Sequence, residues 1–178
     1  MSTSQWLFVG LVVAVGLERV AELLVSNRHA AWALSRGGVE VGRGHYPFMV
    51  ALHTGLLVGC VAEVAFLDRP FVPAVGWPML GLAAGSQALR WWCIVTLGRQ
   101  WNTRVIVVPG LGRVVTGPYR WVPHPNYVAV VVEGAALPLV HGGWITAGVF
   151  TVLNAALLTV RVRTEDQALR SLSKAAAP

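Results

Sequence analysis

Apolar residues run through this chain in long blocks separated by shorter polar ones. The first block, residues 5–26, makes about 33 Å of helix at 1.5 Å per residue, which suits a hydrocarbon core of about 30 Å. A second block covers 46–66 and a third lies within 71–98, ending in Gln87, Arg90, Trp91 and Trp92. Two short blocks, 126–140 and 144–160, are joined only by His141, Gly142 and Gly143. The pattern predicts five helical spans, the last two a tight hairpin too short for an upright crossing. Between them, 27–45 reads as a Gly-rich loop, 67–70 as a tight connection, and 99–125 as the longest polar loop. The tail, 161–178, begins RVRTEDQALRSL and reads as a helical continuation emerging into water.

Composition sets the class. With 178 residues, 55% of them hydrophobic and 12% charged, the chain is too apolar for a soluble domain, and a single integral membrane domain is expected over 1–178. The first charged side chain is Glu18, so no basic leader precedes the first block, which reads as a retained span. Arg and Lys concentrate in 27–45, 99–125 and 161–178, so the positive-inside rule puts the N-terminus outside and the tail in the cytoplasm. The formal net charge of +6 lies between apolar blocks and points to anionic lipid rather than nucleic acid. Cys60 and Cys93 fall inside apolar blocks as packing residues, and no metal motif is present.

The candidate chemistry centres on TGPYRWVPHPNY, residues 116–127. Two prolines bracket His124 and hold it on a stiff, non-helical segment. Asn126 is the expected N-cap of the next helix, whose free N–H groups would face an anion beside His124. An interfacial loop whose prolines merely punctuate two segments is the alternative. Glu18 and Glu22 share a face of the first span at i, i+4 and Arg19 reaches Glu22 at i, i+3, either as an ion pair or as part of a wet cavity. His45, Met49 and His53 form an i, i+4, i+8 stripe; His53 is a hydrogen-bonded core residue or lines a pocket. Arg90, lone in its span, needs a carboxylate or a headgroup.

LGRQWNTRVIV, GPYRWVPHPNY, Glu133, the short hairpin and RVRTEDQAL together resemble the isoprenylcysteine carboxyl methyltransferase family of membrane enzymes. The similarity covers about residues 86–170, and ERVAELLVSNRHAAWALSRGG with HYPFMVALH resembles the amino-terminal half of its compact bacterial branch. The resemblance implies S-adenosylmethionine as methyl donor, bound from the cytosol, and a lipophilic acceptor entering from the bacterial plasma membrane. It divides the chain into three N-terminal spans, 1–98, and a cofactor-binding loop, hairpin and tail, 99–178. His124, Pro125 and Tyr127 match the family's RHPxY motif, and Glu165 with Asp166 its acidic pair. Pro123 replaces the usual Arg and Asp166 the usual second Glu, so Arg120 or Arg104 must clamp the donor's carboxylate.

Physical chemistry assigns further roles within that resemblance. His124 and the helix start suit the carboxylate, Glu165 the ammonium or ribose, and Tyr127 and Trp121 the base or sulfonium. An acceptor that arrives ionised, a carboxylate or acidic enol, needs only Arg104 or Arg90 to orient it. A neutral phenol needs a base, for which Glu133 and His53 are candidates. Family relatives act on alkylpyrones and alkylresorcinols, and the short loops favour such a lipid-like molecule over a prenylated protein. The alternatives are a phospholipid N-methyltransferase, an NADPH-dependent membrane sterol-type reductase and a noncatalytic transporter or scaffold. Against the reductase, the sequence shows no extra basic cluster for a 2′-phosphate.

Overall fold

The computed structural model describes residues 1–175, with side chains through residue 170. Helix α1, Thr3–Ser35, opens on a capping box between Ser2 and Gln5 and is 33 residues long. It runs past the expected end at 26 because HAAWALS contains no helix breaker; termination waits for Gly37, whose φ of 77° few other residues adopt. The polar stretch after it is not all loop. Strand β1, Val39–Val41, pairs antiparallel with β2, Val105–Val107, with Val39 opposite Val107.

Helix α2, Tyr46–Phe66, matches its apolar block, with Pro47 in the first turn. Helix α3, Pro73–Leu97, carries Pro78 inside it. Helix α4, Pro125–Leu139, is 15 residues long. Helix α5, Trp144–Ala175, takes in both the last apolar block and the described part of the tail in 32 residues. The expected short hairpin is therefore lopsided, one short arm against one long one. Its turn closes through Gly143 N–H donating to Pro138 O at 2.9 Å, with Gly142 at φ 71°.

α4 is the centre of the bundle, packing most extensively on α3 and next on α5. Apolar packing fills the end where α1 begins: Phe8, Val12, Leu56, Val64, Leu137 and Phe150 form one buried cluster. Glu63 closes that end. Its carboxylate accepts from Ile145 N–H at 3.1 Å and Thr146 N–H at 2.8 Å, capping α5 from α2, and from Arg69 at 3.0 Å. Leu7, Leu17, Phe66, Val95 and Val152 stay more than half exposed, an outer surface suited to lipid. Two stretches, Arg43–Phe66 and Trp144–Arg170, are long and apolar enough to cross a membrane, with mean hydropathies of 1.8 and 1.7. The other end of the bundle, where α4 begins and α1 ends, is hollow.

Candidate functional site

Two cavities occupy that end, enclosing about 1080 and 970 Å³ of empty space with their mouths included. His124 stands between polar loop and helix as the N-cap of α4, with Pro125 at the first helical position. Asn126, expected as the cap, is instead the second residue of the helix, because proline's fixed φ already suits the first turn. Pro125 has no N–H, and those of Tyr127 and Val128 donate to His124 O at 3.1 and 3.4 Å. The helix start thus offers an anion fewer free donors than the sequence promised.

Side chains make up the difference. The His124 ring stacks on Tyr127 with centroids 5.3 Å apart, and its nitrogens lie 3.8 Å from Glu165 Oε1 and 3.2 Å from Asp166 Oδ1. Tyr127 Oη donates to Glu165 and accepts from Arg161 Nε at 2.8 Å. The proline-stapled motif is therefore docked on the acidic pair of α5. Arg104, Arg113, His124, Asn126, Tyr127 and Glu165 line the first cavity together. Tyr119 lines it too; burial, and next the Cys93 thiol, push its hydroxyl above the ordinary phenol range, so it stays protonated.

Several expected residues are placed differently. Asp166 reaches His124 without lining the cavity, and Arg120 and Trp121 are exposed outside it, Trp121 edge-on to Trp92 at 5.6 Å. They lie at the end of a short 3₁₀ turn, Gly117–Arg120, ahead of α4. Arg104 stands at the first cavity and not at the second, its guanidinium 5.4 Å from the Tyr46 ring centroid and 3.9 Å from Glu40. The expected lack of a basic cluster does not hold either. Arg99, Arg104 and Arg113 from the polar stretch and Arg161 from α5 all line the first cavity. Part of that charge is already engaged: Arg99 lies over Trp32 and Arg113 donates to Pro123 O at 3.2 Å.

The second cavity is mostly apolar, with a charged floor. Arg19 donates to Glu22 at 2.5 Å, to Gln87 at 2.7 Å and to both Glu133 oxygens at 3.0 Å, and Arg90 reaches Glu133 at 2.5 Å. Guanidinium groups thus hold both Glu133 oxygens. Arg90 Nε and Glu22 Oε1 face each other at 3.6 Å, each buried without a hydrogen bond among the described residues. Glu18 accepts from Gln87 at 2.6 Å and Trp91 at 2.5 Å, so three carboxylates share two arginines. His53 lines this cavity, edge-on to Phe150, while His45 stays outside both. His53 Nδ1 lies 2.8 Å from Met49 O. A carbonyl only accepts, so Nδ1 carries the hydrogen and Nε2 is the basic nitrogen.

The two cavities share a wall. Trp101, Asn102, Asn126, Tyr127 and Arg161 line both, and Asn126 Oδ1 in that wall is buried with no partner among the described residues. Arg161 escaped sequence reading. The available signal was its position four residues before Glu165, on the same helix face.

The sequence pattern of the family described as "Isoprenylcysteine carboxyl methyltransferase (ICMT) family" matches residues 79–171. A relative from Bacillus subtilis (strain 168), the uncharacterized protein YpbQ, is 36% identical over 171 residues, 94% of this chain and 98% of its own length. No solved structure matches the chain significantly.

Proposed function

Since the chain belongs to the isoprenylcysteine carboxyl methyltransferase family, a family of membrane methyltransferases, we propose that it is an S-adenosylmethionine-dependent O-methyltransferase acting on a lipophilic acceptor. The observation that carries this reading is the shared wall: a cavity ringed by charged side chains and a more apolar one have the side chains of Asn126, Tyr127 and Arg161 in common. A charged, water-soluble donor suits the first and an alkyl-chained acceptor the second, with reacting atoms meeting at the wall.

The donor set of the first cavity fits the cofactor. Arg104, Arg113 and His124 suit its carboxylate, standing in for the arginine that Pro123 replaces. Glu165 suits the ammonium or the ribose, and the unpartnered Asn126 Oδ1 is a further acceptor. When bound, S-adenosylmethionine supplies an electrophilic methyl group to an oxygen lone pair. The protein's part is alignment and exclusion of water. In the second cavity, Arg90 and Arg19 take up both Glu133 oxygens, and His53 Nε2 is the available base for a neutral hydroxyl. A lipid phenol, enol or carboxylate fits there, an alkylpyrone or alkylresorcinol among them. In this reading all five helices belong to one membrane domain of a bacterial plasma membrane, with the first cavity opening to the cytoplasm.

The arginines around the first cavity favour one competing reading, an NADPH-dependent reductase. Calorimetry on the detergent-purified protein separates the two. S-adenosylmethionine is expected to bind, and His124→Ala and Glu165→Ala to abolish binding. Binding of NADPH instead establishes the reductase; binding of neither removes the enzyme reading altogether.

A further inference from the structure

Arg161 is the one buried cation in the wall, 5% exposed. It donates through Nε to Tyr127 Oη at 2.8 Å, through Nη2 to Thr103 O at 2.6 Å, and through Nη1 to Met49 Sδ. All three partners are neutral. Among the described residues no carboxylate oxygen lies within 4.0 Å of its guanidinium, and Glu165 is reached through the Tyr127 hydroxyl. Arg19 and Arg90 of the second cavity, by contrast, both pair with Glu22 and Glu133. A guanidinium taken out of water without a counter-ion costs several kcal/mol, and a thioether sulfur is a weak acceptor for one of its donors. A site that keeps such a charge at the boundary between two cavities is complete only with an anion there.

We propose that Arg161 is a catalytic residue that holds the acceptor's reacting oxygen as an anion, with the guanidinium edge now on Met49 Sδ turned to that oxygen. The proposal rests on the two-cavity reading of the site. It also selects among acceptors. An amine headgroup would set positive charge against Arg161, so N-methylation is disfavoured, whereas a phenol or enol gains from it. On the floor of the same cavity Glu22 and Glu133 already take up Arg19 and Arg90, so an acid entering there is best received as a neutral hydroxyl. Its proton passes to His53 Nε2, and the electron pair stays on the oxygen beside Arg161. That pair forms the O–CH₃ bond as the methyl's bond to sulfur breaks, leaving the second pair on sulfur, and His53 returns its proton to water.

A chromogenic acid reads the anion directly. The probe is 4-dodecyl-2-nitrophenol, whose phenolate is yellow, titrated in dodecyl maltoside micelles that are empty or contain the wild type, Arg161→Met or Arg161→Lys. Calorimetric binding of S-adenosylmethionine is measured on the same preparations. The wild type is expected to lower the titration midpoint by about one pH unit or more, the usual effect of an adjacent opposite charge. Arg161→Lys should keep most of that shift. Arg161→Met should return the midpoint to the empty-micelle value while still binding the methyl donor. A wild type that leaves the midpoint unmoved overturns the proposal, as does a shift that survives in Arg161→Met. Loss of both probe shift and donor binding in Arg161→Met, with neither regained in Arg161→Lys, marks a structural role and overturns it too. If the wild type shifts the probe but binds no S-adenosylmethionine, the cofactor assignment fails and the anion site stands.

Discussion

Tyr127 joins the parts of the site at the scale of a single side chain. Its ring stacks on His124, its hydroxyl proton goes to Glu165, and its lone pair receives Arg161. Tyr127→Phe keeps the stack and removes the hydroxyl, leaving a carboxylate and a guanidinium four residues apart on one face of α5. Those two would then pair directly, which takes Glu165 away from a ligand in the first cavity. Hydrogen bonds to charged groups contribute about 1.5–3 kcal/mol, so S-adenosylmethionine should bind roughly tenfold weaker or worse by calorimetry. Unchanged affinity would show that Glu165 does not depend on this hydroxyl. Tyr127 and Glu165 were legible from their motifs, but Arg161 was not. Its role depends on facing Tyr127, Thr103 and Met49 from three other segments, and a lone arginine at a helix exit reads equally well as an interfacial anchor.

Among the elements, α4 decides whether the cavities exist, because it packs on both α3 and α5 while carrying His124's cap at one end and Glu133 in its middle. Its close approach to α5 depends on Gly134: a Cβ there would collide with the ring of Phe150, a buried side chain that also holds His53 edge-on. Gly134→Ala must therefore push the helices apart or turn the ring. Overpacking of this kind costs about 1–3 kcal/mol, which thermal unfolding in detergent should register as a lower Tm. Adding Phe150→Leu should recover part of the loss; a Tm unchanged by Gly134→Ala would mean the hairpin gives way without strain. The α2 boundaries followed from the apolar block and Pro47, since a membrane helix declares itself by unbroken hydrophobicity. The β1–β2 pair did not, because two three-residue strands more than sixty positions apart have no local periodicity to reveal that they meet. For the same reason α1 outran its expected end: helix-forming residues continued beyond the apolar stretch, and hydropathy measures lipid contact, not helix length.

The whole molecule is divided along its long direction, with apolar packing at the end where α1 begins and both cavities at the other. Glu63 belongs to the packed end as the cap of α5. That leaves Glu18, Glu22 and Glu133 to share Arg19 and Arg90 beneath the second cavity. Arg161 lies 17 residues along α5 from Trp144, about 26 Å at 1.5 Å per residue, so if Trp144 sits at one interface the shared wall sits near the other. A soluble donor reaches that depth from one side only, and the proposed cytoplasmic opening follows from applying the positive-inside rule to the arginines of 99–125. The orientation is testable because Cys60 and Cys93 are both buried and should stay silent toward a membrane-impermeant maleimide. Gly112→Cys places a thiol on the cavity side, where a Cβ meets nothing within 4 Å, and Ala74→Cys places one at the exposed start of α3 on the opposite side. In right-side-out vesicles Ala74→Cys should label and Gly112→Cys should not, with the pattern exchanged in inverted vesicles. The reverse pattern would open the first cavity away from the cytoplasm. An enzyme so oriented would be cut off from S-adenosylmethionine, so this one measurement bears on the cofactor as directly as on topology.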